Sequence, residues 1–366
     1  MNKPVLSVGL VGPLPPPYGG MANQTRQLTN LLQQEGVQVV LVQVNAPYHF
    51  AWVGKIRGIR ALFRLIPYLL RLWRVAGQVQ LFHIMANSGW AWHLFAVPAI
   101  WIARFRSTPV VVNYRGGEAE VFFKKSFRWI RPSLNRTDAI IVPSGFLEAV
   151  FSRYGYTAGI VPNIIDLSRF QTRSSAYKAD RADSPHIVVT RNLEAIYDNA
   201  TAIRAFYIIK QSIPAARLTV AGEGPEKAML KTLVADLCLQ DSVSFTGRIS
   251  NDAIATLYQD ADLMINASLV DNMPISILEA LASGVPVVST DAGGIPYLVE
   301  HYKTALLVPM KDPGAMADAM LQILKNPELA DSLRNSGLDL LERYTWNSVK
   351  LRLFGIYQQV LKHERH

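Results

Sequence analysis

Residues 268–288 read Ser268-Leu-Val-Asp271-Asn272-Met273-Pro274-Ile-Ser276-Ile-Leu-Glu279-Ala280-Leu-Ala-Ser-Gly284-Val-Pro286-Val-Val. The apolar run Leu263 to Asn266 precedes this stretch, and Val285 to Ser289 closes it. The spacing between predicts a helix with Pro274 in its first turn, where a missing N–H costs nothing. Asp271 then lies just before the helix and Glu279 one to two turns in. Free N–H groups at the helix start, with the helix dipole, favour a phosphate. Asp271 is placed to accept from ligand hydroxyls, and Glu279 suits a ribose diol. A plain structural reading is open for each carboxylate alone: Asp271 as a cap and Glu279 as a surface charge. The strand–loop–helix–strand unit itself points to an α/β fold.

Working outward, the same unit recurs along the chain. Apolar strand runs stand at Val5 to Val11, Val37 to Val44, Gln80 to Ile84, Pro109 to Val112 and Ala139 to Val142. After a polar stretch the pattern restarts at His186 to Thr190, Arg217 to Ala221, Ser242 to Phe245, Leu263 to Asn266, Val285 to Ser289 and Ala305 to Val308. Helical spacing separates the runs, as in a parallel sheet covered on both faces. The fold expected is two doubly wound, Rossmann-like α/β domains facing a cleft. Residues 1–172 form the first domain, 173–185 a linker, 186–345 the second domain and 346–366 a terminal helix. A length of 366 residues suits two domains, and one cysteine, Cys238, excludes a disulfide scaffold and a multi-cysteine zinc site. The seven histidines show no metal-ligand spacing. The N-terminus lacks the form of a signal peptide, and no window of about 20 apolar residues reads as a membrane span.

Charge divides the chain. Residues 1 to 176 hold 19 Lys and Arg against 6 Asp and Glu, whereas the whole chain has 37 and 28. Between Glu35 and Glu118 lie 82 residues without an acidic side chain, nine basic residues and five of the seven tryptophans. This basic, Trp-rich half suggests an anionic surface, membrane or nucleic acid. No nucleic-acid recognition motif is present, so nucleic acid is not expected. On a helical projection of Lys55 to Arg74, the residues Arg57, Arg60, Arg64, Arg71 and Arg74 share an arc of about 100°, with Leu62, Phe63, Ile66, Leu69, Leu70 and Trp73 elsewhere. Pro67 is expected to kink or split the helix. A membrane-surface helix and a helix packed on its own sheet both fit.

The 268–288 stretch resembles the nucleotide-sugar motif of glycosyltransferase family 4, the group 1 glycosyltransferases of GT-B fold, as in bacterial cell-envelope and exopolysaccharide glycosyltransferases. That motif usually has two glutamates separated by seven residues; here they are Asp271 and Glu279. Other family features follow in order: Gly19-Gly20, Val142-Pro-Ser144, Val161-Pro-Asn163-Ile-Ile-Asp166, Ala221-Gly222-Glu-Gly224-Pro225, Phe245-Thr-Gly247 and Asp291-Ala-Gly293-Gly294-Ile-Pro296. The resemblance implies retaining transfer from a nucleotide sugar to a cell-envelope polysaccharide or lipid-linked glycan. It implies no metal and no cofactor, and a cytoplasmic protein peripheral on the inner face of the membrane. A non-catalytic nucleotide-sugar-binding partner of another transferase is the alternative.

By the same resemblance Asp271, Glu279 and Arg191 are the catalytic residues. Gly19, Gly20, Arg115, Asn272, Met273 and Pro274 bind donor, and a terminal helix from Trp346 crosses back to the first domain. Two departures stand out. The family's Arg and Lys at the start of the second domain become Thr190-Arg191-Asn192-Leu193-Glu194-Ala-Ile-Tyr197-Asp198-Asn199, with Tyr197 or Asp198 near the lysine's place. The family's His before a glycine becomes Arg115 in Asn113-Tyr114-Arg115-Gly116-Gly117-Glu118. Arg115 either supplies the missing positive charge or pairs with Glu118 or Glu120. His83 either faces the cleft or is a satisfied core residue, and Asp260-Ala-Asp262 reads as solvated surface.

Overall fold

The computed structural model describes residues 5–16, 19–47, 59–170 and 183–363, with the side chains of 59–62, 251, 252 and 363 excepted. Contacts divide the chain into two compact units. One runs to Asn163 and resumes at Val349; the other is Ile164–Ser348. The boundary falls before residue 172 because Ile165 and Phe170 are buried in the apolar core of the second unit. Most of 173–185 lies outside the described residues.

The first unit has a parallel sheet of β1 (Ser7–Gly12), β2 (Gln38–Gln43), β3 (Leu81–Ala86), β4 (Val110–Tyr114), β5 (Ala139–Val142) and β6 (Gly159–Ile160), in the order β2-β1-β3-β4-β5-β6. Strands β1, β3 and β4 are buried at every residue. That is why they read as unbroken apolar runs rather than alternating ones. Crossovers are α1 (Gly20–Gln34), α2 (Ile59–Ala76), α3 (Val97–Phe105), α4 (Ala119–Leu134) and α5 (Gly145–Arg153). A π-helical turn, Trp92–Ala96, leads into α3. Pro67 does not split α2, which runs unbroken through it.

The second unit pairs β7 (His186–Val189), β8 (Arg217–Ala221), β9 (Val243–Gly247), β10 (Leu263–Asn266), β11 (Val287–Thr290) and β12 (Leu306–Val308) as β12-β11-β10-β7-β8-β9, all parallel. Its helices are α6 (Asn199–Ser212), α7 (Lys227–Asp236), α8 (Asn251–Asp260), α9 (Ile275–Ala282), α10 (Ile295–Leu298), α11 (Pro313–Lys325) and α12 (Pro327–Leu341). The strand order reverses between β7 and β10. Ligands of open α/β sheets bind beyond the carboxyl ends at such a switch point. Of the Asp260-Ala-Asp262 pair, Asp260 is partly exposed, but Asp262 is not solvated surface. Asp262 is buried and accepts the His186 N–H at 2.8 Å, while Asp260 binds His186 Nδ1 at 2.9 Å and Arg217 at 2.6 Å. Both tie α8 to the start of the sheet.

The terminal helix α13 (Trp346–His363) belongs to the first unit from Val349 onward. Val349, Leu353, Tyr357 and Val360 recur at helical spacing and are buried. Lys350 pairs with Glu35 at the end of α1 at 2.8 Å. His83 is the satisfied core residue: its Nδ1 lies 2.6 Å from the Tyr357 hydroxyl and its Nε2 lies 3.0 Å from Asn113 Nδ2. Asn113 Oδ1 takes the Arg115 Nε–H at 3.1 Å, which turns its amide nitrogen to His83. Nε2 is therefore the acceptor, and Nδ1–H donates to Tyr357. Burial first, and Arg115 second, hold the imidazole down to about 3, so it is neutral. Among the described residues, no helix is long and apolar enough to cross a membrane.

Tyr357→Phe removes the acceptor of a buried N–H, a cost of about 1–3 kcal/mol. Urea unfolding followed by tryptophan emission, with six of the seven tryptophans before residue 163, reports on the first unit. The midpoint is expected to fall; an unchanged midpoint would show that Tyr357 does not hold α13.

Candidate active site

Two crossovers meet at the β7/β10 switch point. β7 runs into Thr190-Arg191, and β10 runs into the loop that ends at Pro274 and α9. The Arg191 guanidinium is fixed on three sides. Nη2 binds the Asp271 carboxylate, with both side chains only 12 % exposed. Nη1 donates to Ser276 Oγ at 3.2 Å, and the group lies 4.1 Å above the Tyr197 ring. Its Nε is shielded from solvent and has no acceptor among the described residues. Thr190 Oγ1 meets the Tyr258 hydroxyl at 2.6 Å, and that hydroxyl donates to Ser276 O at 3.0 Å. Tyr258, wholly buried on α8, thus braces the arginine's strand end against the first turn of α9.

The loop before α9 is held by buried polar contacts. Ser268 Oγ donates to Asn266 Oδ1 at 2.8 Å, and Thr290 Oγ1 donates to Ser268 O at 2.5 Å. The Leu269 N–H reaches Ile196 O at 2.8 Å. The Gly294 N–H reaches Asp271 O at 2.7 Å, so backbone and side chain of Asp271 are both pinned. Glycine is required there: a Cβ on Gly294 would sit 1.9 Å from Asn272 O. The Gly222-Glu-Gly224 turn backs the Arg191 strand end in the same way, and the Leu193 N–H bonds Glu223 O at 3.0 Å.

Pro274 is the residue before α9 rather than inside it, and no side chain caps the helix. Its first-turn amides are thus left to other acceptors. Asn272, Met273 and Pro274 all have buried side chains, with Met273 in the apolar core. Any contact of Met273 or Pro274 with a donor would run through the backbone. Glu279 retains some exposure but is packed closely. Burial pushes its carboxyl up to about 7 against the opposing pull of Arg169 and Arg191. The lysine's place is filled structurally. Tyr197 stacks under Arg191, and Asp198, left-handed at φ 41°, caps α6 by accepting from Thr201 Oγ1 at 2.7 Å.

In the first unit, α1 starts at Gly20 with Gly19 extended before it and no capping side chain. A Cβ on either glycine would meet nothing within 4 Å. Internal packing therefore does not demand glycine at these positions. The preceding loop is held by Asn45, which accepts from the Leu14 N–H at 2.9 Å and donates to Leu14 O at 2.7 Å. Arg115 is partly buried, donates Nη1 to Asn163 Oδ1 and is pulled down to about 10 by burial. Glu120 pairs instead with Arg153 at 2.7 Å.

The sequence reading missed Arg169, Tyr258, Thr190 and Ser276. Ser276 lies inside the quoted motif; Tyr258 and Arg169 carry no local signal. Among the described residues, no three His, Cys, Asp or Glu side chains cluster as metal ligands.

Two sequence profiles match the chain. The one described as Glycosyl transferases group 1 covers residues 173–339, and Glycosyltransferase Family 4 covers 18–169. The chain is 30 % identical over 182 residues to N-acetyl-alpha-D-glucosaminyl L-malate synthase of Bacillus anthracis, covering 50 % of this chain and 46 % of that protein. It is 28 % identical over 233 residues to the GDP-mannose-dependent alpha-(1-6)-phosphatidylinositol monomannoside mannosyltransferase of Mycobacterium tuberculosis, covering 59 % and 60 %. The match thus spans about half the length of these curated relatives. Sucrose-phosphate synthase from Thermosynechococcus elongatus has the same fold, at TM-score 0.76 and 20 % identity over 98 % of this chain and 100 % of that one. So does Anabaena HepE in complex with UDP and glucose, at TM-score 0.75 and 18 % identity over 97 % and 100 %.

The Glu279 carboxyl gives a pH signature. Unfolded, a glutamate titrates near the ordinary 4.5; folded, this one holds its proton to about 7. Between those values only the folded state keeps the proton, so stability falls as pH rises through that window. Glu279→Gln removes the slope. It is expected to match wild type near pH 5 and to exceed it by about 2 kcal/mol near pH 8 in thermal or urea unfolding. Parallel profiles for the two proteins would contradict the buried carboxyl.

Proposed function

We propose, for a chain that belongs to the group 1 glycosyltransferases of family 4 and has their GT-B fold, that it transfers a sugar from a nucleotide sugar to a glycan or lipid-linked acceptor, with retention at the anomeric carbon. The observation that carries the donor reading is the meeting of a fixed guanidinium, a carboxylate and an uncapped helix start at the switch point of the second sheet. Arg191 and the first amides of α9 hold the diphosphate. Asp271 accepts from the sugar hydroxyls, and Glu279 accepts from the ribose diol in its ionised form. Arg169 and Arg191 both favour that form. The open backbone at Gly19 and Gly20 lets a phosphate or sugar approach the start of α1.

In the step itself the bond from the anomeric carbon to the β-phosphate oxygen breaks, and negative charge builds on the leaving diphosphate. On this reading Arg191, held in place by Asp271 and Ser276, and the α9 amides stabilise that charge with little reorganisation. The acceptor oxygen bonds the anomeric carbon on the face the leaving group vacates. Its proton passes to the departing phosphate oxygen. On this reading the chain itself supplies the positive charge, with neither metal nor cofactor assigned a step. The mannosyltransferase relative, whose name specifies a phosphatidylinositol-linked acceptor, and the basic first half support a lipid-linked acceptor at the inner face of the cytoplasmic membrane.

Transfer and binding assays with UDP- and GDP-sugars test this. Arg191→Lys keeps the charge but loses the fork and the stack, and kcat is expected to drop about 10²-fold or more. Asp271→Asn is expected to cut transfer more than it weakens UDP or GDP binding. Glu279→Ala is expected to weaken nucleotide binding, with the loss growing above pH 7. Binding without transfer or donor hydrolysis in wild type would instead favour a non-catalytic partner. Turnover and affinity indifferent to all three changes would refute the site, and an inverted product anomer would refute retention.

A further inference from the structure

The first unit carries a surface that the donor chemistry leaves unused. Helix α2 buries Tyr68, Leu72 and Val75 in the core, yet Phe63, Ile66, Leu70 and Trp73 stand in solvent, Leu70 at 64 % and Trp73 at 50 %. At 100° per residue these four fall within an arc of about 80° and run about 15 Å along the helix. The helix is therefore apolar on two sides, one for its own sheet and one for something else. Right-handed crossovers put α2, α3 and α4 side by side on one face of the sheet. The apolar surface continues there: Arg106 lies 5.2 Å over the Trp73 ring, Phe105 beside it is 71 % exposed, and Trp129 on α4 is 73 % exposed. Large exposed apolar side chains gathered on one face in this way mark an interaction site.

We propose that the outer α2–α3–α4 face is a docking surface for an anionic phospholipid bilayer, with the α2 stripe entering the interfacial layer. Charge selects this occupant. Arg74 and Arg106 border the stripe, and Lys124, Lys125 and Arg128 are exposed on α4. The sequence offers no acidic residue from 36 to 117. Of the nearby acids, Asp138 is paired with Arg104 and Glu120 with Arg153. A second copy on a two-fold axis would set basic against basic, whereas anionic headgroups complement the whole face. Tryptophan and phenylalanine beside arginine and lysine suit the water–lipid interface.

On this proposal the described part of the arginine arc contributes little beyond Arg74. Arg71 folds back to donate to Leu41 O on β2 at 2.9 Å, and Arg64 is partly buried. Arg57 and the Arg60 side chain lie outside the described residues. The apolar stripe therefore contributes the salt-resistant part, and the cations of α3 and α4 contribute the preference for anionic lipid. The proposal rests on the membrane side of the reading above and stands without its chemistry.

The test is sedimentation of the full chain with phosphatidylglycerol and with phosphatidylcholine vesicles, at low and high salt. Wild type is expected to bind both, phosphatidylglycerol more tightly, with high salt removing only the difference. Leu70→Ser with Trp73→Ser should lower partitioning about tenfold or more on both vesicles, with an unchanged unfolding midpoint. Leu70→Ser alone should show a smaller loss of the same kind. Lys124→Gln, Lys125→Gln and Arg128→Gln together should abolish only the lipid preference. No binding by wild type, or binding unmoved by the stripe variants, would overturn the proposal. So would a concentration-dependent dimer that the stripe variants abolish while vesicles are ignored, since a second copy then covers the face. UDP and GDP binding on the same preparations separates the two readings. Intact nucleotide binding with failed vesicle binding sinks only the surface, and the reverse sinks only the donor site.

Discussion

The Arg191 guanidinium lies between a carboxylate, a hydroxyl and a π face, and the loops at the carboxyl edge of the second sheet are shaped around it. A pair this enclosed is a poor device for stability, since removing two charges from water costs several kcal/mol per ion. Its use is positional. Asp271 sets where the guanidinium points, and the guanidinium sets where the carboxylate points. Tyr258 and Thr190 lock that geometry from behind, while the Gly294 and Gly222 contacts bring the supporting turns close enough to bond it. Without a side-chain-free approach at those turns the two loops would stand off, and the pair would lose its fixed frame.

The two units answer one physical requirement in different ways. Each sheet presents an uncapped helix start beside its switch point, α1 after β1 and α9 after β10. In the second unit that start is accompanied by charge. In the first, open glycine backbone stands at the helix start, while the partly buried Arg115 is bonded to Asn113 and Asn163. Arg115, Asn113, His83 and Tyr357 form a continuous buried chain that ties two strand ends to α13. The neutral imidazole is what lets one ring accept on one side and donate on the other.

Much of this was legible in the sequence. Strands buried on both faces gave apolar runs whose bounds hold to within a residue or two. Asp271 and Glu279 were marked by their places before and within the expected helix, and Arg191 by the family resemblance alone. Strand order was not legible, because pairing across a crossover leaves no local trace. Tyr258 was equally silent, an aromatic in a helix with nothing to distinguish it from packing. The Asp260-Ala-Asp262 pair read as surface because a spacing of two cannot reveal that both carboxylates meet His186 or its backbone. For α2 the projection set arginines apart from apolar residues, yet periodicity gives angles without saying which angle meets the sheet. One apolar face was expected where the helix has two, and that difference moves the proposed membrane contact from arginine to the stripe.

On the proposed reading Arg191 and the start of α9 hold a diphosphate while Asp271 and Glu279 hold the two sugars around it. A crystal structure of the full chain with an intact nucleotide sugar tests it most directly. The diphosphate is expected within hydrogen-bond reach of Arg191 and the first α9 amides, with the ribose diol on Glu279 and the transferred sugar on Asp271. A nucleotide sugar seated elsewhere, or one whose diphosphate leaves Arg191 closed on Asp271 and out of reach, would contradict it.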